Sequence, residues 1–222
     1  MSDTSETGIF ELGLAPDLDC ARVVSGVVAA VGPDMVSVTV RGGADAILPA
    51  SEYPPGRVFT HGQHIYALVI SEGPRPVLSV SRPELLTALL GAFSPEVRTG
   101  TVRVQALARR PGVRSKVAVA PTVAGVDAVA ACVGRQHNRI DALKAALGGE
   151  QVDVVAWNPD RSIFLSNALQ PAAVSSVTFD ESGRGAVATT PAHQMSAAVG
   201  QGGLNSALAG QLVGAMVRIV SE

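Results

Sequence analysis

The sequence predicts an α+β chain in which a small five-stranded barrel precedes two copies of one mixed module. Three observations carry this. Short β-patterned runs separated by turn residues fill much of residues 17–83. A helix, a glycine turn and a second helix then occur twice, at Gly134-Arg135-Gln136-His137 and at Gly200-Gln201-Gly202-Gly203. The distance from each turn glycine to the glycine that stops the following helix also repeats, since 148 minus 134 and 214 minus 200 are both 14. Two matched copies, each preceded by β-patterned and helical segments, argue a duplicated module.

In chain order, residues 1–16 form a short N-terminal tail, with Met1 to Thr7 polar and acidic enough to stay disordered and Ile9 to Leu14 as a short lead-in. Strands are expected at Val23 to Val31, Met35 to Val40, Ala46 to Leu48, Ile65 to Ile70 and Val77 to Ser81. The turns between them fall at Gly32-Pro33-Asp34, Arg41-Gly42-Gly43, His61 to Gln63 and Gly73 to Pro76. Short strands at this density read as an OB-type β-barrel over residues 17–83. Such barrels hold single-stranded nucleic acid on aromatic platforms, and the candidates are few: Phe59 and Tyr66, with Tyr53 in a loop.

The first module spans 84–158. Pro83-Glu84 opens a helix through Leu85, Leu86, Leu89 and Leu90 that Gly91 should stop, and Val97 to Ala108 and Val113 to Ala120 read as strands around Arg109-Arg110-Pro111-Gly112. An apolar stripe through Val126, Val129, Ala130 and Val133 reads as a helix ending at Gly134. Arg139 to Leu147, with Ile140, Leu143 and Leu147 on one side, reads as the next helix, closed by Gly148-Gly149. Val152 to Trp157 is a buried strand. The second module, 159–222, repeats the order with helix Ile163 to Leu169, strands Val174 to Phe179 and Gly185 to Thr189, and helices Met195 to Val199 and Leu204 to Leu212. Gly214 stops the last helix, and Met216 to Val220 is the final strand. The joint Asn158-Pro159-Asp160 is short, so the modules are expected to pack as one unit.

Two helices joined by a glycine loop beside a sheet, in the order α-β-β-α-α-β, are the type II KH arrangement, whose loop clamps a nucleotide backbone. Glycine serves because phosphates must approach the main chain closely, and the following helix offers free N–H groups and a positive dipole end. A plain helical hairpin that binds nothing would also use one glycine turn; the duplication favours the clamp.

Composition bounds the rest. With 222 residues, 47% hydrophobic and 16% charged, the chain can bury a real core. A net charge of −2 excludes a protein that holds nucleic acid by bulk charge, so any RNA contact is local. The cations gather in the first module, where nine basic residues from Glu84 to Asp160 face seven acids, against three of each after it. Arg114, Lys116, Arg135 and Arg139 are the basic candidates around its loop. Cys20 and Cys132 lack CxxC spacing, which fits a reducing compartment and neither a disulfide framework nor a zinc site. No signal peptide or spanning apolar run is legible, so the expected location is cytoplasmic. His61 and His64 have HxxH spacing without a third ligand, and Cys132 on an apolar stripe reads as a small buried hydrophobe. With no P-loop and no GxSxG elbow either, the chain is read as a non-enzyme without cofactor or metal.

Several stretches are more specific. Pro111 to Val119, Ala131 to Gly134, Gly149 to Trp157, Ala168 to Ala172 and Ala198 to Asn205, with Ile47 to Glu52 and Leu78 to Arg82 in the barrel, resemble the RNA-binding region of the NusA family of bacterial transcription termination/antitermination factors. The resemblance covers nearly all of Arg22 to Glu222. It implies an S-one-type barrel and two tandem KH domains contacting nascent single-stranded RNA, with RNA polymerase or other transcription-complex proteins as partners. The contact residues it implies are Arg114, Lys116, Gly134, Arg135, Gln136, His137, Arg139, Gly200, Gln201, Gly202, Gly203 and Asn205. His137 stands where the family's first loop closes with glycine, and uncharged Gln201 where its second carries a basic residue. Only about twenty residues precede the barrel, where family members carry a polymerase-docking domain, so the resemblance implies a truncated, diverged member. The other reading is a protein-interaction paralogue that has lost most RNA binding.

Overall fold

A computed structural model describes residues 9–11 and 22–222. The tail expected over Met1 to Thr7 and the first cysteine, Cys20, lie outside the described residues. The chain forms two compact units: residues up to 101 with 111–113 and 132–151, and residues 102–110 with 114–131 and 152–222.

The first unit holds the barrel. Strands β2 (Arg22–Val31), β3 (Met35–Val40), β4 (Asp45–Pro49), β5 (His64–Ser71) and β6 (Val77–Ser79) follow a three-residue β1 (Ile9–Glu11) that pairs antiparallel with β2. Their order is β2-β3-β4-β6-β5, and β5 returns to β2, so the sheet closes on itself. Alternation puts Val36, Val38, Ala46, Leu48, Ile65, Ala67 and Leu78 inside. After the barrel, helix α1 (Pro83–Phe93) packs on β2, β5 and a later helix, α4 (Asn138–Ala146), burying Leu85, Leu86, Leu89 and Leu90. A single turn, α2 (Pro95–Arg98), follows. Gly91 does not stop α1; it is buried inside the helix, and Ser94 is the C-cap. Val97 likewise belongs to α2 and not to a strand, because Pro95 at a helix N-terminus starts a new turn where β-branched content alone suggested extension.

In the second unit, β7 (Val102–Arg110) pairs antiparallel with β8 (Arg114–Pro121). β9 (Gln151–Ala156) joins β8 in parallel, since Gln151 N–H donates to the Val113 carbonyl and Trp157 N–H to that of Val119. In sequence, α3 (Ala128–Val133) and α4 lie between β8 and β9, with α4 belonging to the first unit. The predicted stripe on α3 is out of phase: Ala128 and Cys132 are buried, while Ala130 is exposed and Val126 precedes the helix. The Asp127 carboxylate accepts from the Ala130 N–H and so caps a helix whose first residue is Ala128, two after Val126.

The second module has the same order: α5 (Arg161–Leu169), β10 (Ser176–Phe179), β11 (Gly185–Thr190), α6 (Met195–Val199), α7 (Leu204–Val213) and β12 (Met216–Ser221). β10 and β11 are antiparallel, β11 and β12 parallel. One core joins both modules within this unit. Ala108, Ala118 and Val155 of the β7-β8-β9 sheet cluster with Phe164, Leu165, Leu169, Leu208 and Leu212 of α5 and α7. Among the described residues no helix is long and apolar enough to cross a membrane.

Candidate nucleic-acid interface

The two glycine loops share one backbone trace although only their first residue is the same. Gly134 leaves α3 at φ 77, ψ 171, and Gly200 leaves α6 at φ 75, ψ 169. Gln136 (φ 50, ψ 34) matches Gly202 (φ 59, ψ 24), and His137 (φ 63, ψ 13) matches Gly203 (φ 75, ψ 9). These are left-handed positions that glycine occupies without penalty and that cost a side-chain-bearing residue on the order of 1 kcal/mol each. The first loop therefore holds two strained residues where the second holds glycines. The leading glycines are needed for space as well: a Cβ at Gly134 would lie 2.6 Å from Arg139 Cγ, and one at Gly200 would lie 2.6 Å from Asn205 Cβ. Positions 202 and 203 are open, with nothing within 4 Å of an added Cβ.

Arg135, Gln136, His137, Gln201 and Gly202 are exposed. The helices that follow the loops, α4 and α7, carry no side-chain hydrogen bond at their N-caps, in contrast to α5, whose Asp160 accepts from the Ser162 and Ile163 N–H groups. Both loops thus lead into helix N-termini whose first N–H groups are left uncapped by side chains, an arrangement suited to an anion.

The other predicted contacts sit differently. The Arg114 guanidinium is bidentate on Asp153, Nε to Oδ2 at 2.8 Å and Nη2 to Oδ1 at 3.0 Å. Lys116 Nζ donates to the same carboxylate at 2.8 Å, with its side chain only 1% exposed. Burial pulls the Lys116 ammonium below the usual lysine range, and the Asp153 charge opposes that pull. Its charge is directed inward, at Asp153. Arg139 Nη1 donates to Glu96 Oε2 at 2.7 Å, and Asn205 is buried, its amide turned toward main-chain carbonyls. A periodicity signal could have found Asn205, because it shares the 3-4 spacing of buried Leu208, Ala209 and Leu212 on α7. Asp153, the hub of the cation pair, had no signal in the sequence pattern.

In the barrel, Phe59 is 4% exposed, with Tyr53 edge-on at 5.1 Å and the Arg57 guanidinium 4.9 Å above its ring. It packs as core and offers no open stacking face; Tyr66 is half-buried. Cys132 is buried and its thiol is pushed up to about 11 by that burial, which keeps it protonated and unreactive at neutral pH. Among the described residues no group of three or more His, Cys, Asp or Glu side chains is placed to hold a metal.

Two carboxylates of the first unit tie its elements together. Glu52 accepts from Arg82 Nη2 at 2.9 Å, and that hydrogen bond chiefly lowers its pKa. Glu96 is raised by burial, but its own backbone N–H, Arg139 and Ser94 outweigh this and leave it lowered. A folded-state pKa below the unfolded one adds stability that is present above the ordinary value of 4.5 and lost as pH falls through the depressed folded value. Urea midpoints should therefore hold steady down to about pH 5 and drop below about pH 4, and Glu96→Gln should flatten part of that drop. A Glu96→Gln protein with an unaltered acid limb would remove Glu96 from the account.

Comparison with known proteins places this geometry. Residues 80–157 match the NusA-like first KH domain and residues 161–222 the NusA-like second KH domain. The Transcription termination/antitermination protein NusA of Mycobacterium tuberculosis is 37% identical over 177 residues, 77% of this chain and 51% of that protein. Its Thermus thermophilus namesake is 37% identical over 198 residues, 87% of this chain and 51% of that protein. The Bacillus subtilis protein is 32% identical over 205 residues, 90% of this chain and 55% of that protein. The chain thus spans about half the length of the curated relatives it matches. With these matches the chain belongs to the NusA-like family, and it carries that family's first and second KH domains in tandem after a closed barrel.

Proposed function

We propose that this chain binds single-stranded RNA through its two glycine loops, without catalysis, and acts in transcription termination or antitermination as the names of its relatives describe. The observation that supports this most is the shared loop trace. A conformation that strains Gln136 and His137 in one copy and uses glycine in the other is kept in both, each time ahead of a helix N-terminus without a side-chain cap. The first loop offers charge through exposed Arg135 and the second close main-chain approach at Gly202 and Gly203. Transcription-complex proteins, including RNA polymerase, are the partners this reading implies.

Titration of a labelled single-stranded RNA at about 50 and about 200 mM salt tests the reading, since phosphate contacts make binding salt-dependent. Gly202→Asp should weaken binding about tenfold or more while leaving the circular dichroism unchanged, because the added carboxylate meets phosphate and no protein atom. His137→Gly should bind more tightly and melt no lower, as it opens the first loop and relieves a left-handed residue. A folded Gly202→Asp protein with wild-type affinity would sink the clamp and leave a protein-interaction role.

A further inference from the structure

Asn205 is the second residue of α7, five positions after the glycine that opens the loop, and is 1% exposed. Its Nδ2 lies 3.1 Å from each of three carbonyls: Leu169, the last residue of α5, and Ala197 and Ala198 in the last turn of α6. An amide nitrogen has two protons, so it shares them among three acceptors: the Ala197 and Ala198 carbonyls of a helix only five residues long, and the Leu169 carbonyl, which also accepts the Ala172 N–H. Oδ1 of the same side chain is buried with no partner. A buried acceptor without a partner costs free energy, which the Nδ2 contacts of the same side chain oppose. Gly200 presses directly on it, since an added Cβ there would lie 2.6 Å from Asn205 Cβ and 2.8 Å from its main-chain nitrogen.

The loop therefore closes on one side chain. α6 leads in, α7 leads out, and Asn205 ties both to each other and to the end of α5. The first module solves the same problem with a different group: Arg139, also second in its helix and also against the leading glycine, reaches Glu96 on α2 at 2.7 Å. That tie is an ion pair with side chains 28% and 34% exposed, whereas the tie of the second module is neutral and buried.

We propose that Asn205 is the positioning residue of the second glycine loop: by fixing the angle between α6 and α7 it presents the Gln201-Gly202-Gly203 main chain in the one geometry that receives a phosphate, without touching RNA itself. The inference rests on the RNA-binding reading above for its functional half, and on the loop geometry alone for its structural half. Its consequence is that loss of the amide lowers the fraction of molecules with a competent loop, and apparent affinity falls by that fraction.

The test compares Asn205→Ala with Leu208→Ala, a buried residue about one turn further along the same helix, in the full chain at a temperature where both are folded by circular dichroism. Two readouts are taken: affinity for a labelled single-stranded RNA of mixed sequence, and amide hydrogen exchange at residues 201–203 without RNA. Asn205→Ala should lose about tenfold in affinity and exchange faster at 201–203, while Leu208→Ala, matched for lost melting temperature, keeps both near wild type. Asn205→Ser, which keeps a shorter donor, should fall between, and it replaces Asn205→Ala if that protein does not fold. Equal effects of the two positions on both readouts, or no effect of Asn205→Ala on either, overturn the proposal. Should the wild-type chain bind no RNA, the RNA reading fails, and the exchange comparison still decides whether Asn205 sets the loop.

Discussion

Asp153→Ala is expected to destabilise the chain by about 3 kcal/mol, the lower end of what breaking a buried ion pair costs. Lys116 is the reason. Its ammonium is buried on β8, 2.8 Å from Asp153 Oδ2, and Arg114 holds the other side of the same carboxylate. Removal of the carboxylate leaves one buried cation without its anion and a second cation beside it. The estimate sits at the low end because Asp153 is 27% exposed and water can partly replace it. Lys116→Met on its own should cost little, since Arg114 continues to neutralise Asp153 and the methionine fills similar space. The double variant should recover most of the loss, a coupling that urea unfolding of the four proteins measures directly. Purely additive effects would show that burial of Lys116 carries no electrostatic debt.

The second large effect is Leu165→Ala. Leu165 is fully buried in α5, and truncation of such a leucine costs about 2–5 kcal/mol through lost transfer energy and the cavity left behind. Its core also contains Ala108, Ala118 and Val155 from β7, β8 and β9. The damage should therefore spread beyond the second module. Amides of Val117 to Val119 on β8 and of Leu208 and Ala209 on α7 should lose exchange protection together, and thermal unfolding of this unit should remain a single transition at lower temperature. Separate transitions for the β7-β8-β9 sheet and the second module would contradict a shared core.

Element order and type were legible because periodicity and glycine punctuation are local. The five barrel strands, the helix-loop-helix pairs and the 14-residue spacing all follow from patterns within one or two turns of chain. What escaped were features decided at a distance or by a single cap. Asp127 caps α3, so the helix begins at Ala128 after Val126, and burial falls on Ala128 and Cys132 in place of Val126 and Val133. Lys116 sits in a strand whose residues from Ser115 to Ala120 are all buried, so neither face of β8 offers that lysine solvent. The candidate site divides the same way. The loop glycines could be read from spacing, whereas the partners of Arg114, Lys116 and Arg139 are residues 37 to 43 positions away that no local pattern links to them.

The identical trace of the two loops has an implication for how such a chain can change. Since Gly134-Arg135-Gln136-His137 and Gly200-Gln201-Gly202-Gly203 adopt one shape between equivalent helices, that shape belongs to the flanking frame and not to the tetrapeptide it carries. Each frame holds its own tetrapeptide behind a leading glycine that its neighbours require. Side chains at the second, third and fourth places can then vary in charge and bulk while the main chain stays put, and a duplicated module can change the chemistry of one loop without refolding the other.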